Sequence, residues 1–474
     1  MDSPPTNRCP FNRTSRSGTS TTRPAGTWPP GPRGGITGWR LLGAMSRDLP
    51  GALSAWKEQY GDLVHLRLWP EHEIVVAEPT LARELLVTHH DALIRWERGI
   101  RIFSAVHGQS VLTTEGETWR ARRHALLPDF SPKAIQRLTP SIVDAVSQAF
   151  SQWPANACDW HVERALTTLT MDVILKMVFS GSIGDDVHVA EHAIRVISMA
   201  TNAEFFSPVV LPDWMPWKHN KRRALGSLKA LIERHLQDRL GLARAAWPDD
   251  LLTRLLQPRD DAPTLSLQDV RDECMTSFLA GHETTAATLV WWAWCMASNP
   301  AAQRLARDEV QRVLRGAAPS VETLPALDYV VQTIKETLRL YPVVPVLFSR
   351  RARRAIQLGG WTFPARTLFV IPANVLHRDS RWFSDPESFK PERFASGAPE
   401  VPRGAYIPFG AGPRVCLGQH LAMSEMTVIA AMLLQRFELS IPHGSEPPHA
   451  VLNVTLRPDQ PMLLRVSPVS ATVA

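Results

Sequence analysis

The sequence predicts a mainly α protein with small β-sheets, folded as one large domain. Three observations carry this. A capped, largely apolar stretch of about 32 residues lies between Ser266 and Ser298. A second stretch, Leu327 to Arg339, repeats its apolar residues at helical spacing. Short β-type runs flank turn signals on either side of it.

Along the chain, residues 1–27 are rich in Ser, Thr, Arg and Pro, with Asp2 the only acid. They hold too little apolar surface to order themselves, which predicts a disordered arm. An Arg- and Ser-rich, acid-poor start also has the composition of a transit peptide, but it lacks apolar residues for an amphipathic face. Pro29, Pro30 and Pro32 stiffen the lead into a domain over 28–474. Leu63 to Val76 reads as short strands within a mostly helical region from Leu53 to about Leu340. In the long helix, Ser266 and Asp269 make a capping-box start, and Asn299-Pro300 stops it. At 1.5 Å per residue it runs about 48 Å, enough to cross a domain. Ala286 to Ala297 is apolar nearly all round and belongs in a core. In the second helix, Leu327, Val330, Val331, Ile334 and Leu338 share one face. Ala355 to Leu358 and Trp361 to Phe363 flank Gly359-Gly360 as a hairpin. Thr367 to Ile371 is a β-branched and apolar run of strand type. Leu417 to Arg436 is helical again.

Composition narrows the function. The 474 residues are 44% hydrophobic and 21% charged, ordinary for a globular chain able to bury a sizeable core. A net charge of +6 permits an acidic protein partner but does not indicate nucleic acid, and no zinc-finger or RNA-reading motif is present. The five cysteines are scattered, which argues against a disulfide framework and for a reducing, cytoplasmic setting. No apolar run reaches the ~20 residues of a membrane span.

One cysteine stands apart. In Phe409-Gly410-Ala411-Gly412-Pro413-Arg414-Val415-Cys416-Leu417-Gly418, glycines and a proline form a rigid turn before a helix start. Unpaired N–H groups and the positive dipole end there favour a thiolate, a good metal ligand. A lone cysteine beside a Gly-rich turn is ordinarily an inert structural residue. Here Phe409, Gly412, Arg414, Cys416 and Gly418 fit the haem-binding signature of the cytochrome P450 family at every fixed position. The chain thus resembles that family, in its soluble, single-domain form.

The resemblance extends to other motifs. Lys335-Glu336-Thr337-Leu338-Arg339 resembles the family's Glu-x-x-Arg motif, and Pro391-Glu392-Arg393-Phe394 supplies a third member, Arg393. Alone, Glu336 and Arg339 would read as a surface pair of about 0–1 kcal/mol. Ala280-Gly281-His282-Glu283-Thr284-Thr285 matches the acid–alcohol motif of the oxygen-activating helix. Trp119 and Arg123 match the Trp-x-x-x-Arg pattern.

The resemblance implies a fold with a long central helix over haem and a cysteine loop below it. It implies haem b, with Cys416 as axial thiolate, Phe409 shielding the sulfur, and Arg414, Trp119, Arg123 and Arg350 at the propionates. Gly281 leaves room for dioxygen, Thr284 orients water or the reduced oxygen, and Glu283 connects to a proton supply. Arg351, Arg353 and Arg354 face solvent, and Arg120 and Arg122 lie on the redox face, where they steer an acidic electron carrier. His282 is incidental. Val343 to Leu347 line a pocket for an apolar small molecule; fatty acids, terpenoids and aromatic compounds stay open. The implied activity is monooxygenation with O2 by a cytoplasmic monomer. Electrons come from a separate ferredoxin- or flavodoxin-type donor and an NAD(P)H reductase. A peroxide-using or isomerising enzyme and a non-catalytic haem sensor are the alternatives.

Overall fold

Alternating apolar positions draw Leu63–Leu68 and Glu71–Val76 into an antiparallel hairpin, with Leu63 opposite Val76 and Leu68 opposite Glu71. In the computed structural model, which describes residues 28–469 except 182–185, 208, 210, 211, 213 and 258–264, this hairpin starts a five-stranded mixed sheet. Leu368–Val370 joins it in parallel, then Arg350–Ala352 and Leu93–Arg95 follow antiparallel. The expected arm, residues 1–27, lies outside the described residues. The sheet's last pairing sets Arg95 directly opposite Arg350.

The long helix is Leu267–Ser298, 32 residues, with both bonds of the Ser266–Asp269 capping box formed. Its second half is core, as the apolar run predicts: Trp291 and Trp292 are fully buried, and only Trp294 between Ala286 and Ala297 is half-buried. It packs chiefly against the Val162–Phe179 helix. At Gly281 they pack tightly, since a Cβ there would meet Ile174 Cδ1 at 2.5 Å.

The second helix is Asp328–Leu340. Val330, Ile334 and Leu338 are buried as expected, but Val331 is only half-buried and the buried face turns instead through Thr333, Glu336 and Thr337. Ile356–Leu358 and Trp361–Phe363 form the expected hairpin. Gln419–Arg436 starts two residues after the expected Leu417. The pattern gave no warning of a three-stranded sheet (Cys158–His161, Leu463–Pro468, Phe437–Ser440) or of the C-terminal hairpin Ala450–Asn453 with Thr455–Pro458. These strands are short and some pair across most of the chain, so no local signal marks them. Among the described residues, no helix is long and apolar enough to cross a membrane.

Candidate active site

Two elements keep exposed surface within otherwise buried surroundings. The first is the cysteine loop. Gly410 and Gly412 both take φ of +73°, and a Cβ on Gly412 would lie 2.0 Å from the Leu86 carbonyl oxygen, so that turn requires glycine. Gly412–Arg414 is a 3-10 turn, and the Cys416 N–H donates to the Phe409 carbonyl at 2.9 Å. Cys416 lies three residues before the helix begins, and the Gly418 N–H is aimed at its sulfur. Burial pushes the thiol up, against the smaller pull of that N–H and of Arg123. The helix-start setting alone therefore does not make the thiolate; a bound cation would. Though deep in the protein, Cys416 keeps exposed surface, and a Cβ on Gly418 would meet nothing within 4 Å. Both border a void.

The second is the middle of the long helix. Ala280 is exposed although Phe278, Leu279, His282 and Glu283 around it are buried. Thr284, one turn on, donates its hydroxyl to the Ala280 carbonyl at 2.8 Å. Glu283 points elsewhere: it accepts from Ser198 Oγ (3.1 and 3.2 Å), Thr455 Oγ1 (3.1 Å) and Arg457 Nη2 (3.1 Å). Gly281 has a packing reason in the Ile174 contact, separate from the room for dioxygen that the resemblance implies. His282 is structural, fully buried, with Nδ1 3.1 Å from Thr170 Oγ1.

At the edge stands a cluster of guanidinium groups. Arg414 stacks on Trp119, 3.8 Å from the ring centroid, donates to the Thr114 carbonyl at 3.1 Å and pairs with Glu115. Arg123 also lies over the Trp119 ring, 5.9 Å from its centroid. Burial and neighbouring arginines push Arg350 and Arg414 down to about 10. Arg95 completes the cluster, and sequence reasoning missed it. Burial, then Arg414 and Arg350, hold it well below the ordinary arginine range, and its Nε and Nη1 are buried with no partner. No motif contains Arg95; only the pairing of Leu93–Arg95 with Arg350–Ala352 brings it here.

Beneath the loop, Glu336 and Arg339 are fully buried and joined at 2.7 and 2.8 Å. Arg339 also donates to the carbonyls of His377 (3.0 Å), Pro386 (2.6 Å) and Ser388 (3.1 Å). Arg393 Nε reaches Glu336 at 3.2 Å, and the Lys390 N–H reaches it at 2.9 Å. The three predicted members do form one unit, the surface-pair alternative failing on burial.

Two expectations fail. Arg122 is buried, paired to Asp269 at 2.5 Å and Glu273 at 3.1 Å, so it ties the Gly116–Leu126 helix to the long helix instead of facing a partner. Arg351 is buried between Glu71 (2.7 Å) and Glu97 (2.6 Å), while Arg353 and Arg354 do face solvent. In both cases carboxylates distant in sequence supply the partners. Of the expected pocket segment, Leu347 and Val344 pack in the sheet core with Ile74 and Phe369, and Val346 packs with Leu53 and Val75.

Known proteins match this chain over most of its length. The family model described as Cytochrome P450 matches residues 29–465. The chain belongs to the cytochrome P450 family. It is 32% identical to the cyclooctat-9-en-7-ol 5-monooxygenase of Streptomyces melanosporofaciens, over 80% of this chain and 83% of that one. It is 31% identical to the cytokinin hydroxylase of Arabidopsis thaliana, over 82% and 78% respectively. It is 29% identical to the chloroplastic protein LUTEIN DEFICIENT 5 of the same plant, over 86% and 72%. The helix-rich architecture with several small sheets is that of a P450, and the chain is an enzyme of the P450 monooxygenase class.

P450 enzymes bind haem b through a cysteine thiolate, and the residues here fit that group. Among the described residues, Arg95, Arg123, Arg350 and Arg414 gather around one carboxylate, Glu115. Like charges directly opposite on paired strands, as at Arg95 and Arg350, are destabilising. Buried guanidinium N–H groups without acceptors cost further. Two propionates at this edge would satisfy both deficits, and Cys416 would supply the thiolate ligand.

Proposed function

We propose that this P450 inserts one oxygen atom of O2 into an apolar organic substrate and reduces the other to water. The overall reaction is RH + O2 + NAD(P)H + H⁺ → ROH + H2O + NAD(P)⁺. The electrons come from separate redox proteins, a ferredoxin- or flavodoxin-type donor and its reductase. The observation that carries this reading is the acid–alcohol pair. Thr284 bonds the carbonyl of exposed Ala280, and Glu283 beside it is bonded to hydroxyls and to a part-exposed arginine. Reductive oxygen chemistry needs protons there, which an apolar pocket alone does not supply.

Haem b, when bound, supplies the centre at which dioxygen is reduced. The chain's own residues do the rest. Cys416 would hold the metal, and Phe409, packed against the main core, anchors its backbone through the Cys416 N–H bond. Arg95, Arg123, Arg350, Arg414 and Trp119 hold the propionate edge. Thr284 orients water at the open side, and Glu283 feeds it protons from the side of Ser198 and Thr455. Gly281 keeps the helix slim at this level.

The apolar substrate class is supported by three rings that converge from distant segments. Phe103 lies 5.2 Å from Phe205 and 4.9 Å from Phe348, and Phe348 stacks under Arg95 at 5.3 Å. They form an aromatic wall beside the propionate edge. Exposed Arg120 is left to steer an acidic donor. The cysteines that the structure describes are all free, which supports a reducing, cytoplasmic setting, and we take the enzyme to act as a monomer over a domain beginning near residue 28. Turnover with surrogate redox proteins and NAD(P)H tests the reading. Hydroxylated product with one NAD(P)H used per oxygen inserted supports it. Product only with added peroxide would establish the peroxide-using alternative, and no turnover with either would favour a sensor.

A further inference from the structure

Glu283 is held by groups that reach it from two other parts of the fold. Ser198 comes from the Asp186–Phe206 helix, and Thr455 and Arg457 come from the C-terminal hairpin. The Arg457 side chain is 24% exposed, whereas that of Glu283 is 10% exposed. Arg457 Nε also donates to Thr455 Oγ1 at 3.1 Å, so one guanidinium fixes both the acid and a hydroxyl bonded to it.

The hairpin itself is fastened. Trp291 Nε1 donates to the Leu456 carbonyl at 3.0 Å, the Leu456 N–H donates to the Val343 carbonyl at 2.9 Å, and Asn202 Nδ2 donates to the Leu452 carbonyl at 3.2 Å. Arg457 is therefore presented to the long helix at a fixed place. Among the described residues it makes the one ion pair of Glu283. The nearest other titratable group on the same helix, His282, is buried and bonded to Thr170, so it is no substitute.

We propose that Arg457 is the positioning residue for Glu283: it holds the buried acid between Ser198 and Thr455 and links it to solvent, so that proton delivery on the long helix is governed from the C-terminal hairpin. This rests on the proton-delivery reading above. A buried carboxylate stripped of its counter-charge is strongly destabilised in its place and loses the geometry that its role needs. Proton supply then lags, and more of the reaction ends as O2 + NAD(P)H + H⁺ → H2O2 + NAD(P)⁺.

The test is a double-mutant cycle on the haem-loaded enzyme. Arg457→Met is made in the parent and in the Glu283→Gln background, with Arg457→Lys as the conservative variant. Product and hydrogen peroxide are measured per NAD(P)H consumed, and the C–O stretch of the reduced carbon monoxide complex is recorded. Arg457→Met is expected to lower coupling severalfold in the parent and to add nothing once Glu283 is Gln. Arg457→Lys recovers part of the loss. Arg457→Met and Glu283→Gln shift the C–O stretch in the same direction. Equal losses from Arg457→Met in both backgrounds, or no loss in the parent, would overturn the proposal while leaving the proton-delivery reading standing. Normal coupling in Glu283→Gln would sink that reading itself, and Arg457 with it. Loss of haem in both Arg457→Met and Arg457→Lys would make Arg457 a folding residue and also overturn the proposal.

Discussion

Arg339 meets Glu336 through two bonds, Nε to Oε2 at 2.7 Å and Nη2 to Oε1 at 2.8 Å, and neither side chain has exposed surface. Every remaining direction of Arg339 is taken by carbonyls of the segment leading to the cysteine loop. Removing the acid leaves a buried guanidinium uncompensated, at a cost of about 3–5 kcal/mol. Glu336→Ala should give little or no haem-loaded protein, read by haem content and thermal unfolding. A variant that loads haem like the parent would mean the network does not support the loop.

Cys416 should be the iron ligand. Cys416→Ala is expected to abolish the Soret band that thiolate-ligated haem shows in the reduced carbon monoxide complex. Cys158→Ala and Cys295→Ala should keep it, since Cys158 lies on a peripheral strand and Cys295 in the core of the long helix. An imidazole-type spectrum from folded parent protein would refute the assignment.

Arg95 allows a two-sided expectation. Without haem, its buried Nε and Nη1 lack acceptors and it opposes Arg350. Arg95→Met should therefore stabilise the haem-free protein by about 1–3 kcal/mol. The same change should speed haem loss to an excess of an apo-haem acceptor, because one propionate partner is gone. If both states move the same way, Arg95 is a packing residue.

The motifs were legible because each is local: five fixed types around Cys416, the spacing of Glu336 to Arg339, the pair Glu283-Thr284 and the cap at Ser266. What stayed hidden depends on partners far along the chain. Arg95 and Arg350 meet only through strand pairing. Arg122 and Arg351 looked exposed because Glu273 and Glu71, which bury them, lie well over a hundred residues away. The same holds for Arg457, which no motif contains and which only the hairpin brings to Glu283.

Acid should destabilise the fold through neutral buried histidines. Burial and then Arg457 hold His282 down to about 3, and burial with Arg339 holds His377 down to about 3, its Nε2 accepting the Ile407 N–H at 2.9 Å. Below about pH 6.5 the unfolded chain takes up a proton at each site, and the folded protein does not until about pH 3. Each therefore contributes stability that is full above pH 6.5 and falls by about 1.4 kcal/mol per pH unit between those limits. In denaturant titrations from pH 7 to pH 5, His282→Asn should flatten the slope by about that amount. An unchanged slope would mean His282 is charged in the fold.

Thr284 bears on proton delivery directly. Its hydroxyl donates to the Ala280 carbonyl inside the long helix at 2.8 Å, a bond the helix does not need, since the backbone ladder persists without it. Thr284→Ala should thus keep haem, the carbon monoxide spectrum and thermal stability within about 0.5 kcal/mol, as for a substitution away from the core network. Ala280 beside it is exposed, so the hydroxyl is placed to turn from that carbonyl toward water. Its loss should leave NAD(P)H consumption in place but divert it, with less product and more hydrogen peroxide per NAD(P)H. Unchanged coupling would make Thr284 a packing residue and pass the proton role to water or another side chain. It would also favour the peroxide-driven alternative, which needs no reductive proton delivery. Comparison with Thr284→Ser separates hydroxyl from methyl: restored coupling in the serine variant assigns the effect to the hydroxyl, whereas loss in both assigns it to the packing of the methyl group against the helix.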